Sequence, residues 1–139
     1  MEIERKFLIA KEQLPKDLEQ YPYHELEQAY LCTAPTVRIR KEDDEYYITY
    51  KSKGLIAREE YNLPLTKEGY EHMIKKADGF VISKKRYLIP YMEHTIELDI
   101  FEGDLAPLII AEVEFDSVEE ANAFISPDWF DQDVTDDPS

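Results

Sequence analysis

Apolar and charged residues alternate through most of this chain with a period of two. From Glu2 to Ile9, Ile3, Phe7 and Ile9 take odd positions while Glu2, Glu4 and Lys6 take even ones. That is the strand period, not the helix period, and it sets Glu2, Glu4 and Lys6 about 7 Å apart on one face. Taken alone, such a face is equally the solvated side of an edge strand, its lysine blunting the edge. Lys11 to Leu18 reads as a short helix interrupted by Pro15, and His24 to Leu31 as an alternating strand. Ala34-Pro35 is a turn, Thr36 to Lys41 a strand with Arg38 and Arg40 on one face, and Glu42-Asp43-Asp44 a polar hairpin turn. Glu45 to Lys53 follows, with Tyr47, Thr49, Lys51 and Lys53 together, broken at Gly54; Ile56 to Leu65 pairs Arg58 with Glu60. Thr66 is placed as the N-cap of a helix over Lys67 to Ala77, ending near Asp78-Gly79. Phe80 to Ile89 returns to strand with Lys84 and Arg86 on one face, and Pro90 is expected to end it. Thr95 to Phe101 sets Glu97 with Asp99; after a turn at Gly103-Asp104, Leu108 to Phe115 sets Glu112 with Glu114. Asp116 or Ser117 caps a last helix through Phe124, and from Ser126 the chain is irregular and acid-rich.

The reading is mainly β: about eight strands and two or three helices. The charges are grouped by sign, with carboxylate pairs in the first and last strands and basic pairs between. A flat sheet would present them to water. A closed cylinder would line a channel with them. A channel lined with both signs is costly to desolvate, so it must hold water, a metal ion or a polyanion.

The chain has 139 residues, of which 43% are hydrophobic, enough for one domain with a sizeable core. With 31 acidic against 16 basic residues and a net charge of −15, it has no general basic field for nucleic acid. An anion site must be a local, enclosed concentration of positive charge. The one cysteine, Cys32, precludes an intrachain disulfide and reads as a buried structural thiol, which fits a reducing, cytoplasmic setting. No apolar run is long enough for a membrane span, and no signal peptide is visible. A homodimer is allowed.

Glu2, Glu4, Glu60, Asp99, Glu112 and Glu114 offer the hard oxygen ligands that magnesium combines with water and phosphate oxygens. His24, His72 and His94 fit no zinc spacing. Lys6, Arg38, Arg40, Lys51, Lys53, Arg58, Lys84 and Arg86 match phosphate oxygens, arginine as a fork and lysine as a point charge. A linear polyphosphate bridging a carboxylate-bound metal and a basic wall would satisfy both sets, and phosphoryl transfer needs little beyond positioning and charge neutralisation. A Walker loop, a Gly-x-Gly-x-x-Gly turn and a Ser-His-Asp set are all missing from the sequence. No obvious pocket for a nucleobase is legible.

Glu2-Ile3-Glu4-Arg5-Lys6 resembles the Glu-x-Glu-x-Lys signature of the CYTH family, the triphosphate tunnel metalloenzymes. It is followed in order by Arg38-Ile39-Arg40, Lys51-Ser52-Lys53, Arg58-Glu59-Glu60, Lys84-Lys85-Arg86, Glu97-Leu98-Asp99 and Glu112-Val113-Glu114. The resemblance covers residues 2 to about 135. Glu4 to Leu8, Ala29-Tyr30-Leu31, Ala111 to Phe115 and Trp129-Phe130 are similar to the short bacterial members that hydrolyse inorganic triphosphate. The resemblance implies a single α+β, mainly β domain over residues 1–139, an eight-stranded antiparallel closed barrel with a few peripheral helices. It implies Mg2+ or Mn2+ as cofactor: Glu2, Glu4 and Glu114 on the catalytic ion, and Asp99, Glu112 and Glu60 holding or orienting a second. It implies Arg38, Arg40, Lys51, Arg58, Lys84 and Arg86 on the phosphates, and Lys6 with Tyr30 placing or activating the attacking water. Lys53 and Glu97 are supporting candidates. Family members usually continue past the position of Val134-Thr135 into a basic, Ala-rich helix at one tunnel mouth. This sequence runs instead into Asp136-Asp137-Pro138-Ser139, and either a shortened chain or an open mouth is expected there.

A metal-dependent triphosphatase is therefore the leading reading, with tripolyphosphate as first substrate and a nucleoside triphosphate second. An adenylyl cyclase of the class IV type, a thiamine triphosphatase and a non-catalytic polyphosphate-binding module are the alternatives. Ordinary solvated strand faces would explain a few of these charged pairs, not the whole ordered series.

Overall fold

A computed structural model describes residues 2–53 and 57–135, and of Glu2, Arg58 and Phe80 only the backbone. The strand break expected at Gly54, the strand start at Ile56 and the acidic tail 136–139 lie outside the described residues. The strands are β1 (Glu2–Leu8), β2 (Tyr23–Thr33), β3 (Thr36–Glu42), β4 (Glu45–Lys51), β5 (Ala57–Arg58), β6 (Glu60–Pro64), β7 (Asp78–Tyr91), β8 (His94–Phe101) and β9 (Ile109–Glu114). Helix α1 spans Lys67–Ile74 and α2 Val118–Ala123. The helix expected over Lys11 to Leu18 is instead a pair of 3-10 turns, Lys11–Gln13 and Leu18–Gln20, on either side of Pro15.

All pairings are antiparallel, in the order β5-β1-β9-β8-β7-β2-β3-β4-β6. The two ends of that order are halves of one ribbon, 57–64, interrupted at Glu59. β5 pairs with β1, and β6 pairs with β4. The ribbon therefore carries the chain from one edge of the sheet to the other, and the sheet curls on itself, as the eight-strand expectation requires. The β1–β5 seam consists of Glu2↔Arg58 and Ile3↔Ala57. Further along the same edge of β1 the C-terminal segment takes over: Leu8 N donates to Gln132 O, Asp131 N to Leu8 O and Val134 N to Lys6 O.

Parity decides where the core goes. The odd residues of β1 and their partners form an apolar layer on the convex side: Ile3, Phe7, Ile96, Leu98, Ala111 and Val113, covered by Ala121 of α2, Phe124 and Phe130. A second layer of Ala29, Ile39 and Tyr70, with Ile48 and Met73, seats α1 against β2, β3 and β4. Thr66 caps α1 as expected, and of the two candidates Asp116 and Ser117 it is Ser117 that caps α2. Thr66 Oγ1 accepts from Gly69 N, and Ser117 Oγ accepts from Glu120 N. The apolar layers thus sit outside the curl, which leaves the opposite face of the sheet to the charged positions: even numbers on β1, β3, β7 and β9, odd numbers on β4 and β8.

Pro90 does not end its strand; β7 continues to Tyr91, opposite His94. Leu88 N points away from β8 to Pro22 O, and Pro90, two residues on, faces the same side beyond the start of β2. Its missing N–H therefore costs no ladder bond. Cys32 is half-buried rather than fully enclosed.

Candidate active site

The register assembles the charged positions on the inner face. Glu4 lies opposite Glu114, Lys6 opposite Glu112, and Glu112 opposite Glu97. Asp99 faces Arg86 across β8–β7. Gln28 faces Arg40, Tyr30 faces Arg38, and these face Tyr47 and Thr49 in turn. Lys51 faces Glu60. Glu4, Arg38, Arg40, Lys51, Lys84, Arg86 and Asp99 are all buried, although each carries a formal charge. That many charged groups out of bulk water are tolerated only where they are paired or await a ligand.

The basic residues divide into two differently held groups. On β7, Lys84 Nζ lies 2.6 Å from Asp99 Oδ2, while Arg86 donates through Nε to Oδ1 at 2.7 Å and through Nη2 to Oδ2 at 2.8 Å. Arg86 also reaches Glu97 Oε2 at 3.2 Å and lies 3.9 Å from Glu112 Oε2. Burial alone would depress Arg86, but Asp99, Glu112 and Glu97 hold its pKa well above the ordinary value. Burial pulls Lys84 down to about 8 against the opposing pull of Asp99. Burial likewise pushes Glu112 up, yet Arg86, Lys84, Lys6 and Lys51 hold it far below the usual carboxylate range. On β3 the situation differs. Arg38 and Arg40 have no carboxylate within ion-pair distance among the described residues, and Arg38 Nε is buried without a hydrogen-bond partner. Arg40 donates to Gln28 Oε1 through Nε at 2.9 Å and Nη2 at 2.6 Å. Burial, then Arg38 and Arg86, lower its pKa.

The acidic side is built from β1, β9, β8 and β6. Lys6 Nζ lies 3.8 Å from Glu4 Oε1, and Lys51 Nζ 4.0 Å from Glu60 Oε2. Glu60 also accepts from Asn62 Nδ2 at 2.9 Å, and Asn62 in turn accepts from the Thr49 hydroxyl. Burial and then Glu60 raise the pKa of Glu114, with Glu112 adding to the effect. Glu114 on β9 thus feels a carboxylate from β6, a strand remote from it in the sheet order, so the inner face converges. Burial raises Glu97, with Glu112, Asp99 and Glu114 acting the same way against Arg86.

Among the described residues no three His, Cys, Asp or Glu side chains form a ready-made metal cluster. The side chains of Glu2 and Arg58 lie outside the described set, though their backbones face one another across the seam. Magnesium takes one or two carboxylates and completes its shell with water and phosphate oxygens. Glu4 and Glu114, cross-strand neighbours in a region crowded with negative charge, fit that donor chemistry. Asp99 does not: both of its oxygens are held by Lys84 and Arg86.

Two cavities open here. One of about 620 Å³ is lined by Arg38 and Arg40, by the carboxylates Asp44, Glu45 and Glu60, and by Tyr47, Leu63 and Pro64 among others. Its partly aromatic and apolar wall is a feature the sequence did not disclose, and its size is ordinary for a small-molecule site. The other, about 350 Å³, is acidic, lined by Glu93, Glu97, Glu114, Asp116 and Glu120 around His94. Lys53 is exposed beyond the end of β4 and joins neither. Tyr30 is half-buried beside Arg38. Gln28, which the charge pattern passed over, sits two residues before Tyr30 on the same face; that parity was the only signal for it.

The chain is 40% identical over 142 residues to an inorganic triphosphatase of Nitrosomonas europaea, covering 98% of this chain and 90% of that one. It is 33% identical to an inorganic triphosphatase of Acetivibrio thermocellus, covering 99% and 87%. The crystal structure of an inorganic triphosphatase superposes with a TM-score of 0.69 at 36% identity, covering 99% of this chain and 88% of that one. A family model, the CYTH domain, matches residues 1–126, and so the ordered charged pairs, the curled antiparallel sheet and the near-complete alignments meet in one statement: this chain belongs to the CYTH domain family.

Proposed function

We propose that this chain is a divalent-metal-dependent triphosphatase whose first substrate is inorganic tripolyphosphate. The observation that carries the reading is the pair Arg38 and Arg40: two buried guanidiniums with no carboxylate partner among the described residues, on the same inner face as a carboxylate cluster. A buried cation without a counterion is destabilising until an anion arrives. A linear triphosphate supplies that anion along its whole length, and the relatives named above are inorganic triphosphatases.

Arg38, Arg40 and Lys51 bind phosphate oxygens on one wall, while Lys84 and Arg86, braced by Asp99, bind them on the other. Arg58 joins them from the seam strand. Glu4 and Glu114, with Glu2, would hold a magnesium or manganese ion, and Glu60 and Glu112 would orient a second. Bound there, such an ion supplies Lewis-acid stabilisation of the developing phosphate charge. Lys6, beside Glu4, and Tyr30, beside Arg38, place the attacking water. The water oxygen bonds to a terminal phosphorus, the bond from that phosphorus to its bridging oxygen breaks, and pyrophosphate leaves while the proton passes to solvent. The work of the protein is positioning and preorganised charge.

A nucleoside triphosphate is the second substrate, and the cavity beside Arg38 and Arg40, with Tyr47, Leu63 and Pro64 in its wall, is the observation that favours it. The test is a panel of tripolyphosphate, ATP and thiamine triphosphate with magnesium or manganese, followed for phosphate and for cyclic AMP. Phosphate release, fastest from tripolyphosphate, is the expected result. Cyclic AMP from ATP would convert the reading to a cyclase, and tight tripolyphosphate binding with no turnover on any divalent metal would convert it to a binding module.

A further inference from the structure

We propose that Gln28 is a positioning residue for substrate binding, holding the Arg40 guanidinium in place without cancelling its charge. This rests on the triphosphate reading above and adds to it the means by which one wall of the channel stays positive. Gln28 is buried, at 3% exposure, and lies directly opposite Arg40 in the β2–β3 register. Its single carbonyl oxygen accepts two N–H groups of Arg40, at 2.9 and 2.6 Å. Those two bonds fix the plane of the guanidinium and leave its remaining N–H groups for Tyr47 and for a ligand.

Strand β7 holds its arginine differently. Arg86 is gripped by the same pair of atoms, Nε and Nη2, but its acceptor is the Asp99 carboxylate. A carboxylate grips an arginine more tightly, through two oxygens, but it also neutralises it; an amide oxygen orients it and leaves the charge. Holding one arginine by an acid and the other by an amide gives the channel a compensated wall at Lys84 and Arg86 and a wall at Arg38 and Arg40 with no ion-paired carboxylate among the described residues. Arg38 and Arg40 line the larger cavity, which Asp44, Glu45 and Glu60 also line. A multiply charged phosphate oxygen group is therefore drawn to β3, and the amide is what keeps that attraction intact. Glutamine has almost the length of glutamate, so a single atom at position 28 separates a charged seat from a neutralised one.

The experiment compares wild type, Gln28→Glu, Gln28→Met, Arg40→Ala and the double variant Gln28→Glu with Arg40→Ala, which closes the cycle. Tripolyphosphate affinity is measured by calorimetry without divalent metal, and kcat and KM with magnesium. Gln28→Glu keeps the acceptor geometry and adds a charge; it should raise Kd and KM about tenfold while kcat stays within about threefold. Gln28→Met keeps the volume and removes the acceptor; it should raise KM in the same direction. Because Gln28 acts through Arg40, Gln28→Glu should add little once Arg40 is already alanine, a non-additivity that a purely structural role does not produce. Unchanged KM in Gln28→Glu, or its full effect persisting in the Arg40→Ala background, overturns the proposal while leaving the triphosphate reading in place. A wild-type protein that neither binds nor hydrolyses tripolyphosphate overturns both.

Discussion

Asp99 sits fully buried with three donors on its two oxygens, so its carboxylate is a brace for Lys84 and Arg86. Removing one partner of such a buried set strands the others in a poorly solvated interior. Asp99→Ala should therefore lower stability by about 3–5 kcal/mol, read as a fall in the urea midpoint at constant m. A change below about 1 kcal/mol would mean that water or Glu112 already serves the two cations. Glu4 is buried too, but beside Lys6 and opposite Glu114 it belongs to the acidic cluster. Glu4→Ala should abolish metal-dependent turnover and leave the far-UV spectrum unchanged; full activity across a magnesium and manganese titration would remove Glu4 from the metal assignment. Arg40→Ala should act mainly on KM, since Arg40 is held by the neutral Gln28 amide and is assigned to phosphate binding, not to the acidic cluster. A loss confined to kcat would contradict that.

The edge of β1 shows how a secondary-structure element is completed by a segment with no periodicity of its own. Lys6 N donates to Thr135 Oγ1, Asp133 bridges Phe7, and Arg5 Nη2 lies 2.6 Å from Asp133 Oδ2 while its Nη1 donates to the carbonyl of Ala121 in α2. Burial pushes the Asp133 carboxyl up, but Thr135 and Arg5 bring it below the ordinary value. A carboxyl whose pKa is depressed by folding stabilises above its unfolded pKa of about 3.9 and loses that contribution as pH falls through the folded value. Asp133→Asn should therefore lower Tm at neutral pH and converge with wild type as pH drops below about 4; a gap that is constant from pH 7 to pH 3 would show that the pair does no such work. The same edge marks what the sequence could and could not disclose. Most strand positions, the N-cap at Thr66 and the shared-face parity of Glu4, Arg38, Arg40, Lys84, Arg86 and Glu112 are legible, because period-two alternation fixes a face. The depth of each residue along the channel is not, since it depends on register, and register is set by pairing across strands far apart in sequence. That is why Asp99 reads as a metal candidate and yet meets two cations, and why Pro90, which only local propensity condemns, survives at the unpaired side of β7. The 131–135 strap was invisible because main-chain bonding to an existing edge needs no side-chain alternation.

A chain of net charge −15 that binds a polyanion must do so against its own long-range field. It does so by placing guanidiniums where solvent screens them poorly, at a cost to the stability of the free protein. Arg38 is 8% exposed, with Nε unpartnered and no carboxylate in reach among the described residues. Burying that cation is unfavourable in the free protein and becomes favourable only with the anion in place, so ligand binding and stability are linked. Tripolyphosphate at about 100 times Kd, without divalent metal, should add about 2.7 kcal/mol and raise Tm by about 10 °C in a domain of this size. Arg38→Met keeps the stem volume and removes the stranded charge. It should raise the Tm of the free protein, by an amount equivalent to about 1–2 kcal/mol, and at the same time remove most of the tripolyphosphate-induced shift. Scanning both proteins with and without tripolyphosphate separates the two effects. If Arg38→Met is less stable than wild type when free, Arg38 is compensated in the fold, and the link between an uncompensated channel and anion capture fails. If it is more stable when free and insensitive to the anion, the positive wall is held at the expense of stability for the sake of binding.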